Sequence, residues 1–219
     1  IMPSMNPDGF ELGIRYNANG VDLNRDFPDQ FTDPSNTLQG RQPETRAVME
    51  WSWGHNFTLS ANMHSGALVA NYPFDGPTSG VYSACPDDDL FINLSLIYSE
   101  NHPTMYQSTS YNQGITNGAY WYALNGGMQD WNYVWENNFE ITLEQSNTKW
   151  PNSNLLPDLW IDNKESLISF MEQVHTGSRG YVVDAITQDP LYAIITVEGI
   201  DHPIFNHTEH GDYYRLLTP

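Results

Sequence analysis

His64 closes an apolar alternation, Phe57-Thr58-Leu59-Ser60-Ala61-Asn62-Met63, and is followed by Ser65-Gly66. An imidazole at a strand end, beside a turn, can serve as a zinc ligand or a general base, or simply make one structural hydrogen bond. Glu144 ends a second alternation, Phe139-Glu140-Ile141-Thr142-Leu143, with Phe139, Ile141 and Leu143 on one face and Glu140, Thr142 and Glu144 on the other. A carboxylate there is either solvated or placed to take a proton from an activated water. Arg15, Asn24 and Arg25 lie in a polar stretch of a chain with only 8 basic residues. A guanidinium presents a rigid fork that matches a carboxylate, belonging either to a ligand or to a neighbouring acid.

The elements that must hold these residues read as a mixed α/β pattern. Residues 6–45 are turn-rich and irregular, and loops of that length in a compact domain are usually functional. Pro43-Glu44-Thr45 opens a helix running to about Gly54. Strands follow over Phe57–Met63 and Leu68–Tyr72, then a helix over Asp87–Asn101, the strand ending at Glu144, and a helix over Asp162–Val174. Gly118–Trp135 is rich in glycine and aromatics. After Gly177 the texture becomes short β-rich runs, Tyr181–Ile186, Ala193–Val197 and Tyr213–Leu217, which predicts a boundary near Gly177–Gly180.

Composition narrows the class. There are 27 acidic residues against 8 basic, a net charge of −19. Such a surface repels phosphate backbones, which excludes nucleic acid as a partner, and attracts cationic ligands. The one cysteine, Cys85, rules out a disulfide framework within the chain. No apolar run approaches the roughly 18 residues of a membrane-spanning helix. His202, His207 and His210, with Glu209, form a histidine cluster in the β-rich tail that reads as a solvated surface segment. No His-Glu-x-x-His motif, Gly-x-Ser-x-Gly elbow or phosphate-binding glycine loop is present.

Taken in order, several segments resemble one family. They are Met5-Asn6-Pro7-Asp8-Gly9-Phe10, Asp22-Leu23-Asn24-Arg25-Asp26-Phe27-Pro28-Asp29, Gly40-Arg41-Gln42-Pro43-Glu44-Thr45, Asn62-Met63-His64-Ser65-Gly66, Asn71-Tyr72-Pro73-Phe74-Asp75, Gly114-Ile115-Thr116-Asn117-Gly118, Asn125-Gly126-Gly127-Met128-Gln129-Asp130-Trp131 and Phe139–Glu144. Together they resemble the metallocarboxypeptidases of the regulatory branch, the group of carboxypeptidases D, E, M and N.

The resemblance implies an α/β catalytic domain around a mixed, mostly parallel sheet over residues 1–177. A small transthyretin-like β-sandwich would begin within residues 178–219. It implies a Zn2+ enzyme with His64 as one metal ligand and Glu144 as the residue that activates water. Arg15 would stabilise the scissile carbonyl, Asn24 and Arg25 would grip the terminal carboxylate, and Tyr122 would close over the substrate. Asp75 and Gln129 would line the side-chain pocket, favouring C-terminal Arg or Lys of peptides or proteins. The other two ligands, a His and a Glu, are expected upstream of residue 1, so both ends read as cuts through a longer protein whose upstream fragment completes the site.

The family also implies secretion or residence in the secretory route. Asn56-Phe57-Thr58, Asn93-Leu94-Ser95 and Asn206-His207-Thr208 match the glycosylation pattern. The alternative is a carboxypeptidase-like peptide-binding protein without catalysis, and the retention of Glu144, Arg15, Asn24, Arg25 and Tyr122 argues against it. Ser65 departs from the glycine of many relatives, and Gln145-Ser146-Asn147 from a more apolar stretch.

Overall fold

The computed structural model describes residues 1–218. The region expected to be wholly irregular carries a first short helix, α1 (Pro7–Leu12), capped by Asn6 and ended by Gly13 in the left-handed region, and a 3-10 turn at Leu23–Arg25. Helix α2 (Pro43–Trp53) begins and ends as its sequence predicts. Strands β1 (Leu59–His64) and β2 (Ala67–Tyr72) follow, then α3 (Asp88–Glu100).

The segment rich in glycine and aromatics folds as β3 (Ile115–Asn117), α4 (Gly118–Trp121) and α5 (Met128–Glu136). Strand β4 (Phe139–Ser146) and helix α6 (Leu156–Glu172) complete the larger unit. Helix α6 starts six residues before its predicted first residue, with Pro157 in its first turn, where the absent N–H costs nothing.

The four-stranded sheet has the order β1-β4-β2-β3. β1 runs parallel to β4 and β2 parallel to β3, while β2 and β4 are antiparallel, so the sheet is mixed with parallel pairs in the majority. In the central strand β4, Phe139, Ile141 and Leu143 are buried together with Leu90, Phe91, Leu94 and Tyr98 of α3 and Phe170 of α6. Each such burial contributes roughly 1.5–3 kcal/mol relative to exposure. The opposite face of β4 also buries Glu140 and Glu144, which sets aside the solvated alternative for Glu144. Glu140 accepts hydrogen bonds from Ser60 Oγ (2.6 Å) and from Asn132 Nδ2 of α5 (2.7 Å).

The tail forms two small two-stranded sheets. β5 (Ser178–Tyr181) pairs with β8 (Asp212–Arg215), and β6 (Ile194–Val197) with β7 (Ile200–Phe205). The first tail strand thus ends where the predicted one began. Residues 182–191 make an irregular excursion, in which Asp184 accepts the N–H groups of Ile186 and Thr187. β7 was not predicted. Its exposed positions, Asp201, Pro203 and Phe205, alternate with buried His202 and Ile204.

Candidate active site

The register of the sheet does the first assembly step. His64, the last residue of β1, is the Cα partner of Glu144 in β4. Register partners project to the same face of a sheet, so both side chains head the same way at the sheet's end. His64 is half-buried. Desolvation, together with the Arg15 guanidinium, lowers its pKa to about 4, so the ring is neutral at pH 7 and has a lone pair to give. Glu144 is 8% exposed, with one carboxyl oxygen, Oε2, buried and without a partner. Burial raises its pKa, while Arg15, the Ala67 backbone N–H and Lys149 pull it down.

The irregular segment 13–25 supplies the cations. Arg15 Nε donates to Asp22 Oδ2 at 3.0 Å, and its Nη1 stands 3.5 Å from His64 Nδ1. Arg25 Nη1 lies 3.9 Å from the same Asp22 oxygen and donates to the Asn24 carbonyl at 2.6 Å. Asp22 Oδ1 in turn accepts the Asn24 N–H at 3.1 Å. Asp22 therefore orients both guanidiniums and was missed from the sequence, where the signal was its position two residues before Asn24. Asn24 Oδ1 accepts the Met128 N–H at the start of α5 (2.9 Å), which points its amide donors away from that helix. Arg15 and Arg25 keep about half and a third of their side-chain surface exposed, 46% and 35%.

Tyr122 follows α4 and is 41% exposed. Burial of its hydroxyl side raises its pKa, and the charges acting on it are Arg25, Glu144, Asp75 and Arg15. The structure thus brings Arg15, Asn24, Arg25, His64, Glu144 and Tyr122 to one place from four separate stretches of chain. Lys149 joins them without having been predicted. Ser65 Oγ donates to the Lys149 carbonyl (2.8 Å), and the Lys149 stem lies across Gly66, where a Cβ would stand 2.9 Å from its Cγ. The serine that departs from the family pattern therefore anchors the loop after β4.

Asp75 and Gln129 also meet. Gln129 Nε2 donates to Asp75 Oδ1 at 3.2 Å and to Asn71 Oδ1 at 3.0 Å. Both are nearly inaccessible, at 3% and 1% exposure. The Leu124 N–H donates to the Asp75 carbonyl at 2.9 Å, and the point where Gly127 would carry a Cβ is 2.6 Å from Leu124 Cδ1 and 3.1 Å from Asp75 Oδ2. On the other side a Cβ on Gly118 would stand 2.0 Å from Asp75 Oδ1, so only glycine fits there.

The donor set for a metal is partial. Among the described residues no group of three or more His, Cys, Asp or Glu side chains is close enough to hold a metal ion. His64, neutral and at the strand end, fits one corner of a zinc site. The histidines of the tail do not form a cluster. His207 Nδ1 pairs with Asp212 Oδ1 at 3.0 Å, and His202 is buried and stacked on Tyr133, which corrects its reading as a solvated residue.

A strand-end histidine and glutamate thus lie beside two arginines held by one aspartate. The chain belongs to the zinc carboxypeptidase family, whose family model matches residues 1–166. It is 48% identical to carboxypeptidase SOL1 of Arabidopsis thaliana over 222 residues, covering 100% of this chain and 45% of that protein. It is 45% identical to the carboxypeptidase N catalytic chain of Mus musculus, covering 100% of this chain and 56% of the relative. With carboxypeptidase D of Homo sapiens it shares 47% identity over all of this chain and 17% of the relative. The chain thus spans about half, or less, of the length of the curated relatives it matches. Among solved structures, carboxypeptidase A from Helicoverpa armigera superposes with a TM-score of 0.59 at 19% identity, over 78% of this chain and 50% of that one. Thrombin activatable fibrinolysis inhibitor gives 0.57 at 20%, over 77% and 48%. These two likenesses speak to the fold.

Proposed function

We propose that the protein carrying this chain is a zinc carboxypeptidase that releases C-terminal Arg or Lys from peptides or proteins. The observation that carries this reading is the convergence of Arg15, Asn24, Arg25 and Tyr122 on the strand-end pair His64 and Glu144. His64 would be one zinc ligand, and the remaining two, a His and a Glu, would come from chain preceding residue 1. Zinc, when bound, supplies Lewis acidity and an acidified water. The residues of this chain do the rest. Glu144 takes the water's proton and delivers it to the leaving nitrogen. Arg15, steadied by Asp22, faces the oxygen on which negative charge develops. The Arg25 fork and the Asn24 amide hold the terminal carboxylate, which an internal peptide bond lacks. Tyr122 covers the bound end. Asp75, with Gln129, takes the cationic side chain once Leu124 and its loop withdraw, and the charge of −19 draws basic peptides inward.

In this reading residues 1–177 are catalytic and residues 178–219 open a transthyretin-like sandwich. No helix among the described residues is long and apolar enough to cross a membrane. We assign the protein to the secretory route on the family resemblance. Of its three glycosylation triplets, Asn56 is exposed, whereas the Asn206 amide is buried in hydrogen bonds to Ala193 N, Leu191 O and Gly211 O. Asn56 is therefore the expected acceptor.

The test uses the complete protein with zinc and matched peptides ending in Arg, Lys, Phe and Leu. Arg and Lys should be released fastest, and Glu144→Gln should lower kcat by about 10²–10⁴ while leaving affinity for free arginine intact. Faster release of Phe than of Arg would sink the basic preference, and an unaltered kcat in the variant would sink the role of Glu144.

A further inference from the structure

The proposed specificity pocket is acidic beyond its one expected carboxylate. Both oxygens of Asp130, on the first turn of α5, stand 3.0 Å from the backbone nitrogen of Asp75, and Asp130 Oδ2 also accepts from Gln30 Nε2 at 3.2 Å. Asp130 is 1% exposed, and no side-chain cation touches it. The groups acting on Asp75 come from every element packed round it. They are Arg25 from the 3-10 turn, Asp29 from the loop behind it, Asp130 from α5, Glu140 from β4 and Tyr122 from the segment after α4. Only Arg25 is a cation, and it is engaged with the Asn24 carbonyl and Asp22. Asp29 is fully used as an acceptor, by Phe31, Thr32 and Gly126. Gln129 Oε1, at the same place, is buried with no hydrogen-bond partner.

Two buried carboxyls, one of them bonded to the backbone N–H of the other's residue and with no ion pair to either, cannot both be ionised cheaply. Resting on the reading of Asp75 as the pocket acid, we propose that Asp130 is a positioning residue for it, and that the pair holds one proton in the empty pocket which the cationic side chain of a C-terminal Arg or Lys displaces to solvent. Asp130 fixes the Asp75 backbone through the shared N–H and withholds full ionisation from its neighbour. Binding then exchanges one positive charge for another: the carboxylic acid loses its proton, the carboxylate pairs with the guanidinium or ammonium, and the proton leaves to water. An apolar side chain has nothing to exchange. The direction of the titration agrees. Burial first, then Glu140 and Asp29, pushes Asp75 up to about 7 against the pull of Arg25, and burial followed by the Asp75 charge raises Asp130 well above the ordinary carboxylate range. Selectivity for cations therefore weakens as pH falls through about 7, whereas a pocket built on one exposed aspartate would keep it down to about pH 4.

The experiment is calorimetric titration of the complete protein with free L-arginine at pH 6.5, in two buffers of different ionisation enthalpy. Release of roughly one proton per arginine is expected. In parallel, the ratio of kcat/KM for peptides ending in Arg and in Phe is followed from pH 5.5 to 8.5. Ionisations of His64 and Glu144 affect both substrates and cancel in the ratio, which should fall about tenfold per pH unit on its acid side. Asp130→Asn keeps a carbonyl to accept the Asp75 N–H but removes the second acid. It should move the midpoint of that ratio to lower pH and reduce proton release, shifts that a merely structural role would not produce. Arginine binding without proton release, or a ratio independent of pH, overturns the inference and leaves the carboxypeptidase reading standing. Failure to bind arginine or to release any C-terminal residue would count against that reading itself. The wild-type measurements decide the matter even if the variant does not fold.

Discussion

At the scale of single residues, the candidate chemistry was legible because it rests on residue types that the resemblance could place one by one. His64, Glu144, Arg15, Asn24, Arg25 and Tyr122 were all named from sequence, and the structure brings them together. What sequence did not show was how they are held. Asp22 has no chemistry of its own to advertise, yet it receives Arg15 Nε at 3.0 Å, stands 3.9 Å from Arg25 and accepts the Asn24 N–H. Asp22→Ala should leave Arg15, Asn24 and Arg25 chemically intact but free to wander. Loss of orientation of this kind costs about 10²-fold in rate. We expect a fall of that order in kcat/KM for a peptide ending in Arg, with both kcat and KM affected because the arginines we propose for the carbonyl and for the terminal carboxylate are loosened together. Steady-state kinetics on the variant beside Arg15→Ala checks this. A variant within twofold of wild type would show that the arginines are oriented by something else.

At the scale of elements, legibility followed the side-chain pattern and failed where burial and polarity part company. Helix α3 has an apolar face that is also its buried face, and α2 is marked by Pro43-Glu44 at its start and Gly54 at its end, so the predicted bounds of both hold to within about a residue. Helix α5 buries Gln129, Asp130 and Asn132, so its inward face looks like a solvent face in sequence, and the helix was not predicted. Helix α6 was started late because Leu156, Trp160 and Ile161 point outward, which breaks the stripe over its first turns.

The same mismatch marks Glu140, which sequence placed on the polar face of a strand and which is completely buried. Burial raises its pKa from 4.5 to about 7, against the pull of Ser60 and Asn132, and Oε1 has no partner. A folded pKa above the unfolded one means that the stability tied to the proton is fully present below about pH 4.5 and is lost as pH rises through about 7. Above that range the ionised carboxylate costs roughly 3 kcal/mol. Glu140→Gln cannot ionise, so urea unfolding at pH 5, 6, 7 and 8 should show a shallower decline for the variant. Asp75 and Asp130 shift in the same direction and leave a residual slope. Parallel curves for variant and wild type would mean that Glu140 is already relieved by the surrounding structure.

At the scale of the whole molecule, the change of texture near Gly177 was visible, but the way the tail is joined to the body was not, because it depends on single residues far apart in sequence. Arg215, at the end of β8, is fully buried. Its Nη2 donates to Asp87 Oδ1 at 2.6 Å, its Nη1 to the Leu216 carbonyl at 2.8 Å, and its guanidinium lies 5.4 Å from the Phe139 ring centroid. Asp87 is the N-cap residue of α3, where a negative charge is favoured, and its other oxygen accepts the Tyr133 hydroxyl at 2.8 Å. His202 of β7 stacks on Tyr133 with centroids 4.0 Å apart, and burial lowers its pKa to about 4, so it stays neutral and apolar in character. Leu216 belongs to the main core. The tail is thus fastened through one buried ion pair whose acid partner sits among aromatic rings. Replacing such a pair as a whole by apolar residues is often neutral, whereas removing one partner strands the other charge and costs about 3–5 kcal/mol. Arg215→Met should therefore destabilise by that amount, since Asp87 keeps only the Tyr133 hydroxyl and its helix position. Arg215→Met combined with Asp87→Asn should recover a large part of the loss. Denaturant unfolding followed by tryptophan fluorescence measures both. A single variant within 1 kcal/mol of wild type, or a double variant no better than the single, would show that the tail is held by its apolar contacts and not by this pair.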